Sequence, residues 1–235
     1  MTSLTFYGGV REIGGNKILL REGDTSIFFD FGTSFDRRYY YFEEYLRPRP
    51  GAGMLDLLEM ELVPPLMGIY SDDLAPQDVL SHFSSSPLYR ELNVDAVILS
   101  HAHVDHSGYI SFLKENIPIY ATTMTAFIAK AMQDSAPMDI EREVCYFSPR
   151  QRDKNGYLTP KKGYLQPRPF RFVDGVASEK AKAVQLDSPL KTKDFKSLER
   201  FSLITEADYR NVVIFPEKFN GLYARLDRPH SEISP

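Results

Sequence analysis

The 235 residues carry 28 lysines and arginines against 32 aspartates and glutamates, a net charge of −4 that argues against a general polyanion binder but allows a local basic patch. With 43% hydrophobic and 26% charged residues, the composition is ordinary for a soluble globular protein, long enough for one sizeable core or one domain with a large insertion. The single cysteine, Cys145, excludes a disulfide framework or a thiolate zinc finger and reads as a buried structural thiol. No apolar run approaches the ~18 residues of a membrane span, and no charged-then-apolar leader opens the chain, so a cytoplasmic protein without membrane contact is expected.

Leu4 to Tyr7 begin a strand that runs into Gly8-Gly9. Ile18 to Arg21 and Thr25 to Phe29 read as two more, joined by a tight turn at Glu22-Gly23-Asp24. The glycines at 8, 9, 14 and 15 do not make a dinucleotide fingerprint, which must open a helix, whereas a strand follows here. They read as a glycine-rich turn beside a metal site. Asp30, in Phe29-Asp30-Phe31-Gly32, leaves the third strand toward the rim that the histidines at 101–106 face, although an aspartate shortly before glycine is also common in plain turns.

Residues 33–93 read as an insertion able to cover that rim. Tyr39-Tyr40-Tyr41-Phe42, flanked by Arg37, Arg38, Arg47 and Arg49, either stacks bases and contacts phosphate or forms a small packed satellite. A short helix is predicted from Met54 to Met60, stopped by Pro64-Pro65, with loops at Pro76 and at Ser84 to Pro87. His82 has no partner at ligand spacing and reads as structural or surface.

Val94 to Leu99 form a buried strand leading into Ser100-His101-Ala102-His103-Val104-Asp105-His106-Ser107-Gly108. Three of the chain's five histidines fall here beside a carboxylate, donors suited to Zn²⁺ or a similar borderline cation. In an extended turn His101 and His103 can hold one ion. Asp105 and His106, where the chain tightens, can face a second, with Ala102 and Val104 tucked back against the sheet. Tyr109-Ile110 and Phe112-Leu113 recur at helical spacing, so a helix follows. Ile117 to Tyr120 give another strand, its proline suiting an edge or a strand's start. Thr122-Thr123 cap a helix from Met124 to Gln133 with Phe127, Ile128 and Ala131 on its buried face. From Phe147 to Val173, Arg150, Arg152, Lys161, Lys162, Arg168 and Arg171 are interleaved with Tyr157, Tyr164, Phe170 and Phe172. This is either a solvated hairpin or a surface that follows a nucleic-acid backbone.

The run His-x-His-x-Asp-His, followed by Ser-Gly, resembles the signature of the metallo-β-lactamase superfamily. Gly8-Gly9-Val10-Arg11-Glu12-Ile13-Gly14-Gly15-Asn16 also resembles the N-terminal stretch of its ribonuclease J-like, β-CASP-type members. The resemblance covers the N-terminal strands and 94–133. It implies an α+β fold, the αββα sandwich, in one domain over 1–235 with the 33–93 insertion, incomplete at the C-terminus. It implies that His101 and His103 ligate one metal, that Asp105 and His106 ligate a second, and that Asp30 supports the turn by hydrogen bonds. Two Zn²⁺ ions are expected in a complete site, with Mn²⁺ the alternative. A hydroxide bridging them, oriented by Asp105, would attack phosphorus in line. His230, after an apparent strand from Gly221 to Leu226, is the downstream candidate for the family's third histidine, with Pro229 where the family has aspartate. A bridging aspartate would then be missing, which points to the N-terminal part of a longer protein or to a shortened member.

Three functions follow as expectations. The first is a metal-dependent phosphodiesterase or ribonuclease with RNA as substrate, and Asp105 as its catalytic residue. The second is an ester, thioester or lactone hydrolase of the same fold. The third is a catalytically incomplete fragment or non-catalytic binding subunit. A homo-oligomer is compatible with each.

Overall fold

Strands β1 (Thr2–Gly8), β2 (Lys17–Glu22) and β3 (Thr25–Phe29) form an antiparallel meander in the computed structural model, β2 and β3 joined tightly through Gly23-Asp24. The structure describes residues 1–174 except 44, 136, 138 and 162, with 186, 188, 189 and the strand pair Val212–Ile214 and Ala224–Leu226. Helix α1 (Phe35–Tyr41) is capped by Ser34, whose hydroxyl accepts from the Arg37 amide. Then come α2 (Leu55–Glu59), β4 (Leu66–Met67), α3 (Gln77–His82) and β5 (Arg90–Glu91), β4 and β5 pairing in parallel. β6 (Ala96–Ile98), α4 (Val104–Ser107), β7 (Ile119–Ala121) and α5 (Thr123–Asp134) follow. Five short strands come after α5: β8 (Tyr146–Phe147), β9 (Arg150–Arg152), β10 (Leu158–Pro160), β11 (Gln166–Pro167) and β12 (Phe170–Phe172).

Six strands make one mixed sheet in the order β1-β2-β3-β6-β7-β12, antiparallel through β3 and parallel from β3 to β12. The chain is therefore α+β. Alternation sorts the side chains by face: Phe28, Val97 and Ile119 enter the main core, while Ile27 and Ala96 face the other side.

The 33–93 region is more than a cover for the rim. Met54, Leu57, Leu58, Leu62, Val63, Leu66, Ile69 and Tyr70 are buried in the same core as Phe28 and Val97. Each such side chain contributes about 1.5–3 kcal/mol on full burial, so this segment is part of what holds the sheet. Helix α1 stays outside, with no buried residue.

Other local expectations change in three dimensions. From Val104 on, the histidine turn runs into only the one-turn α4 and a 3-10 stretch, Gly108–Phe112, instead of a longer helix. β7 is flanked by β6 and β12, so of the two readings of Pro118 the strand entry holds and the edge does not. Thr122 does cap α5, accepting from the Thr125 amide at 3.1 Å. The helix is rotated, however: Ala126, Ala129, Lys130 and Gln133 are buried, while Ile128 and Ala131 are exposed. Polar demand explains the rotation. Gln133 donates to the Tyr146 carbonyl at 2.7 Å and accepts from the Cys145 amide at 2.8 Å, satisfying two backbone groups that burial would otherwise orphan. No helix among the described residues is long and apolar enough to cross a membrane.

Candidate metal centre

Because β3 and β6 run side by side in parallel, their C-terminal ends deliver Asp30 and the Ser100–His106 turn to one rim. The backbone fixes that meeting from three directions. Phe31 N donates to His106 O at 2.9 Å, Thr33 N to Val104 O at 3.0 Å, and Gly15 N to Asp105 O at 3.0 Å. The approach leaves no room for side chains: a Cβ on Gly32 would overlap the Asp105 carbonyl, and one on Gly14 would overlap the Asp105 side chain. The glycine-rich turn thus lies against the histidine turn. The chain tightens at His103, whose carbonyl accepts from the His106 and Ser107 amides.

One donor atom each from His101, His103 and Asp105 lies within 4.8 Å of the others, a group that can hold a metal ion. Two donors on one tetrahedral zinc sit roughly 3.4 Å apart, so small side-chain rotations close the set. The His101 ring lies 4.8 Å from that of His103 and 3.9 Å from that of His106, centroid to centroid. His106 Nε2 is 3.5 Å from Asp105 Oδ2. Asp105 therefore belongs with His101 and His103 as well as with His106. Ala102 is buried as a spacer should be, but Val104 opens α4 and is exposed.

Asp30 is buried in the left-handed region at φ 57°, which aspartate tolerates better than most residues. Its Oδ1 accepts from Ser100 N at 2.8 Å, and its Oδ2 from Ser100 Oγ at 2.9 Å and from His106 Nδ1 at 2.7 Å. With the Nδ1 proton given to a carboxylate, the lone pair of a neutral His106 falls on Nε2, the nitrogen that faces Asp105. Burial pushes the His101 imidazole below its usual pKa, and the neighbouring His106 and His103 add to this, so it is neutral and able to ligate at neutral pH. For His106 burial also pulls downward, but the hydrogen bond and charge of Asp30, with Asp105, outweigh it and leave the group raised.

Two neighbours escaped the sequence reading. Ser100 Oγ lies 3.0 Å from His101 Nδ1, and Asn16 Nδ2 lies 3.2 Å from His106 Nδ1. Both residues sit inside stretches singled out from sequence, yet no spacing rule links position 16 to position 106.

The basic candidates separate sharply. Arg168 is buried, not a surface contact: its guanidinium donates to the carbonyls of Ser111 at 2.6 Å, Glu143 at 2.9 Å and Leu113 at 3.0 Å. Burial pulls its pKa down to about 10, with Glu143 acting against that. Arg150 is likewise withdrawn, its Nη2 lying 2.6 Å from Glu143 Oε2 with both side chains buried. Arg152, Lys161 and Arg171 are exposed. Lys162 and His230 lie outside the described residues. His82 is exposed, and Cys145 is buried, its thiol pushed up to about 12 by burial.

No family model matches the chain, and no curated protein does. Among solved structures it is similar to a protein of unknown function from Enterococcus faecalis V583, at 30% identity over 57% of this chain, with a TM-score of 0.42. The match covers 28% of that protein's length.

Proposed function

We propose that the chain carries the metal-binding half of a metallo-β-lactamase-type hydrolase that cleaves phosphodiester bonds in RNA. The observation behind this reading is the convergence of His101, His103 and Asp105 within 4.8 Å at the end of a parallel strand, backed by the Asp30–His106 hydrogen bond. The six-stranded sheet, with its core on one face and an apolar pair, Ile27 and Ala96, on the other, suits one half of an αββα sandwich. Imidazole-rich donors favour zinc over manganese. A bound divalent cation would supply Lewis acidity at a phosphoryl oxygen and bring the pKa of its water toward neutrality. Neutral His101 presents a lone pair beside the His103 ring. Asp30 would fix the His106 tautomer, and Asp105, between the two sides of the cluster, would orient the attacking water.

The test is cleavage of a labelled single-stranded RNA by zinc-loaded protein, with Asp105→Asn as comparison. Cleavage that the substitution abolishes supports the reading. Turnover of a thioester or lactone with none of RNA would replace the substrate. Undiminished turnover by folded Asp105→Asn would remove the site.

A further inference from the structure

We propose that the groove between the glycine-rich loop and α1 binds a nucleotide of a single-stranded nucleic acid, its phosphate held by Arg11 and Arg37 and its base stacked on Tyr40. The inference rests on the phosphodiesterase reading and adds where the strand lies. Arg11, Arg37, Tyr40 and Tyr41 line an open groove of about 540 Å³, a size that accommodates a small molecule.

The charges in the groove are not equivalent. Its two acids are committed to joining loop and helix: Glu12 accepts from Gly9 N at 2.8 Å and from Ser34 Oγ at 2.6 Å, and Asp36 accepts from Ile13 N at 3.3 Å. The arginines are not so engaged. Arg37 reaches Glu61 at 3.8 Å, an exposed pair worth little, and Arg11 forms no ion pair among the described residues. An anion entering the groove therefore meets two available guanidinium groups.

The rings point the same way. Tyr40 is 82% exposed, its ring meeting that of Tyr41 edge-on at 5.1 Å and 84°. Nothing in the core holds these tyrosines, because α1 buries no residue and is tied to the rest of the fold by the Arg38–Glu141 pair at 2.8 and 2.9 Å. Exposed rings interleaved with free arginines are the equipment of single-strand binding, in which any base can stack. The same loop carries Gly14 against Asp105, so a strand lying in the groove adjoins the metal turn. The competing surface is weaker, since Arg150 and Arg168 of the 147–173 segment are consumed inside the fold.

The experiment is fluorescence anisotropy of a labelled single-stranded RNA oligonucleotide with the whole chain in chelator, so that nothing is cleaved. Tyr40→Ala should weaken binding about tenfold, within the range for loss of one base stack, and Tyr40→Phe should retain it. Arg11→Gln with Arg37→Gln should weaken binding and flatten its salt slope by about 0.7 units, the share of the one phosphate that they hold. If these variants bind like wild type while Lys161→Glu weakens binding, the groove is wrong and the RNA reading survives. Equal weakening by Tyr40→Phe and Tyr40→Ala would overturn the stacking role. If the wild type binds no oligonucleotide, the RNA reading falls and the groove assignment with it.

Discussion

Asp30 Oδ2 lies 2.7 Å from His106 Nδ1 across a separation of 76 residues. The contact gives the Asp30 carboxylate authority over a ring whose other nitrogen faces Asp105. Replacing Asp30 with asparagine keeps the shape and loses the charge. Metal affinity, read by competition with a chromogenic chelator, should fall by about 10–100-fold while the circular dichroism spectrum stays native. An unchanged affinity would deny Asp30 this positioning role.

His101→Ala combined with His103→Ala should abolish zinc retention, because two of the three converging donors disappear. Elemental analysis of protein purified without a histidine tag gives the answer. Equal zinc in wild type and double variant would place the ion elsewhere.

Arg168→Met should destabilise the fold by about 3 kcal/mol or more, since it leaves the Ser111, Leu113 and Glu143 carbonyls without their buried donor. Lys161→Glu, on the surface, should stay within about 0.5 kcal/mol of wild type. Urea denaturation distinguishes them, and a neutral Arg168→Met would mean that the carbonyls find other partners.

Lys17 is buried, donating to the Gly15 carbonyl at 3.1 Å with its nitrogen 5.0 Å from the centre of the Tyr109 ring. Burial pulls its pKa from 10.5 down to about 7, with Glu12 opposing. Between those values the unfolded chain holds the extra proton, so the contribution of Lys17 to stability rises with pH, by at most about 1.4 kcal/mol per unit. Below about 7 both states are protonated and the cost of burying the charge is fully present. Lys17→Met should therefore stabilise most at pH 6 and progressively less toward pH 8.5. A stability difference independent of pH would show that Lys17 keeps its ordinary pKa.

What could be read from sequence was what neighbours in sequence decide. The meander, the cap at Thr122 and the crowding of donors between His101 and His106 depend on adjacent residues or short periods. Arg168 and Arg171 show the limit. They are three positions apart and chemically identical, yet one is buried and one exposed. The difference lies in carbonyls at Ser111 and Leu113, more than fifty residues away, that only the folded chain brings near. The turn of α5 was lost for a similar reason. Phe127, Ile128 and Ala131 suggested a face, but Gln133 answered the unpaired groups of Cys145 and Tyr146, which helical periodicity does not register.

The crowding of Gly14 and Gly32 against Asp105 ties the donor cluster to the order in which the chain assembles. A peptide spanning the histidine turn contains every donor but not the backbone amides of Gly15, Phe31 and Thr33 that hold it in shape. Those amides arrive only once the N-terminal meander has docked beside β6. An ion selective for the closed arrangement would bind the folded chain and not its fragments. Its affinity would be returned as resistance to unfolding, about 2.7 kcal/mol at a free concentration one hundred times its dissociation constant. Chelation should then lower the midpoint of denaturation for the entire sheet, far from any ligand, while leaving the far-ultraviolet spectrum of the folded state untouched.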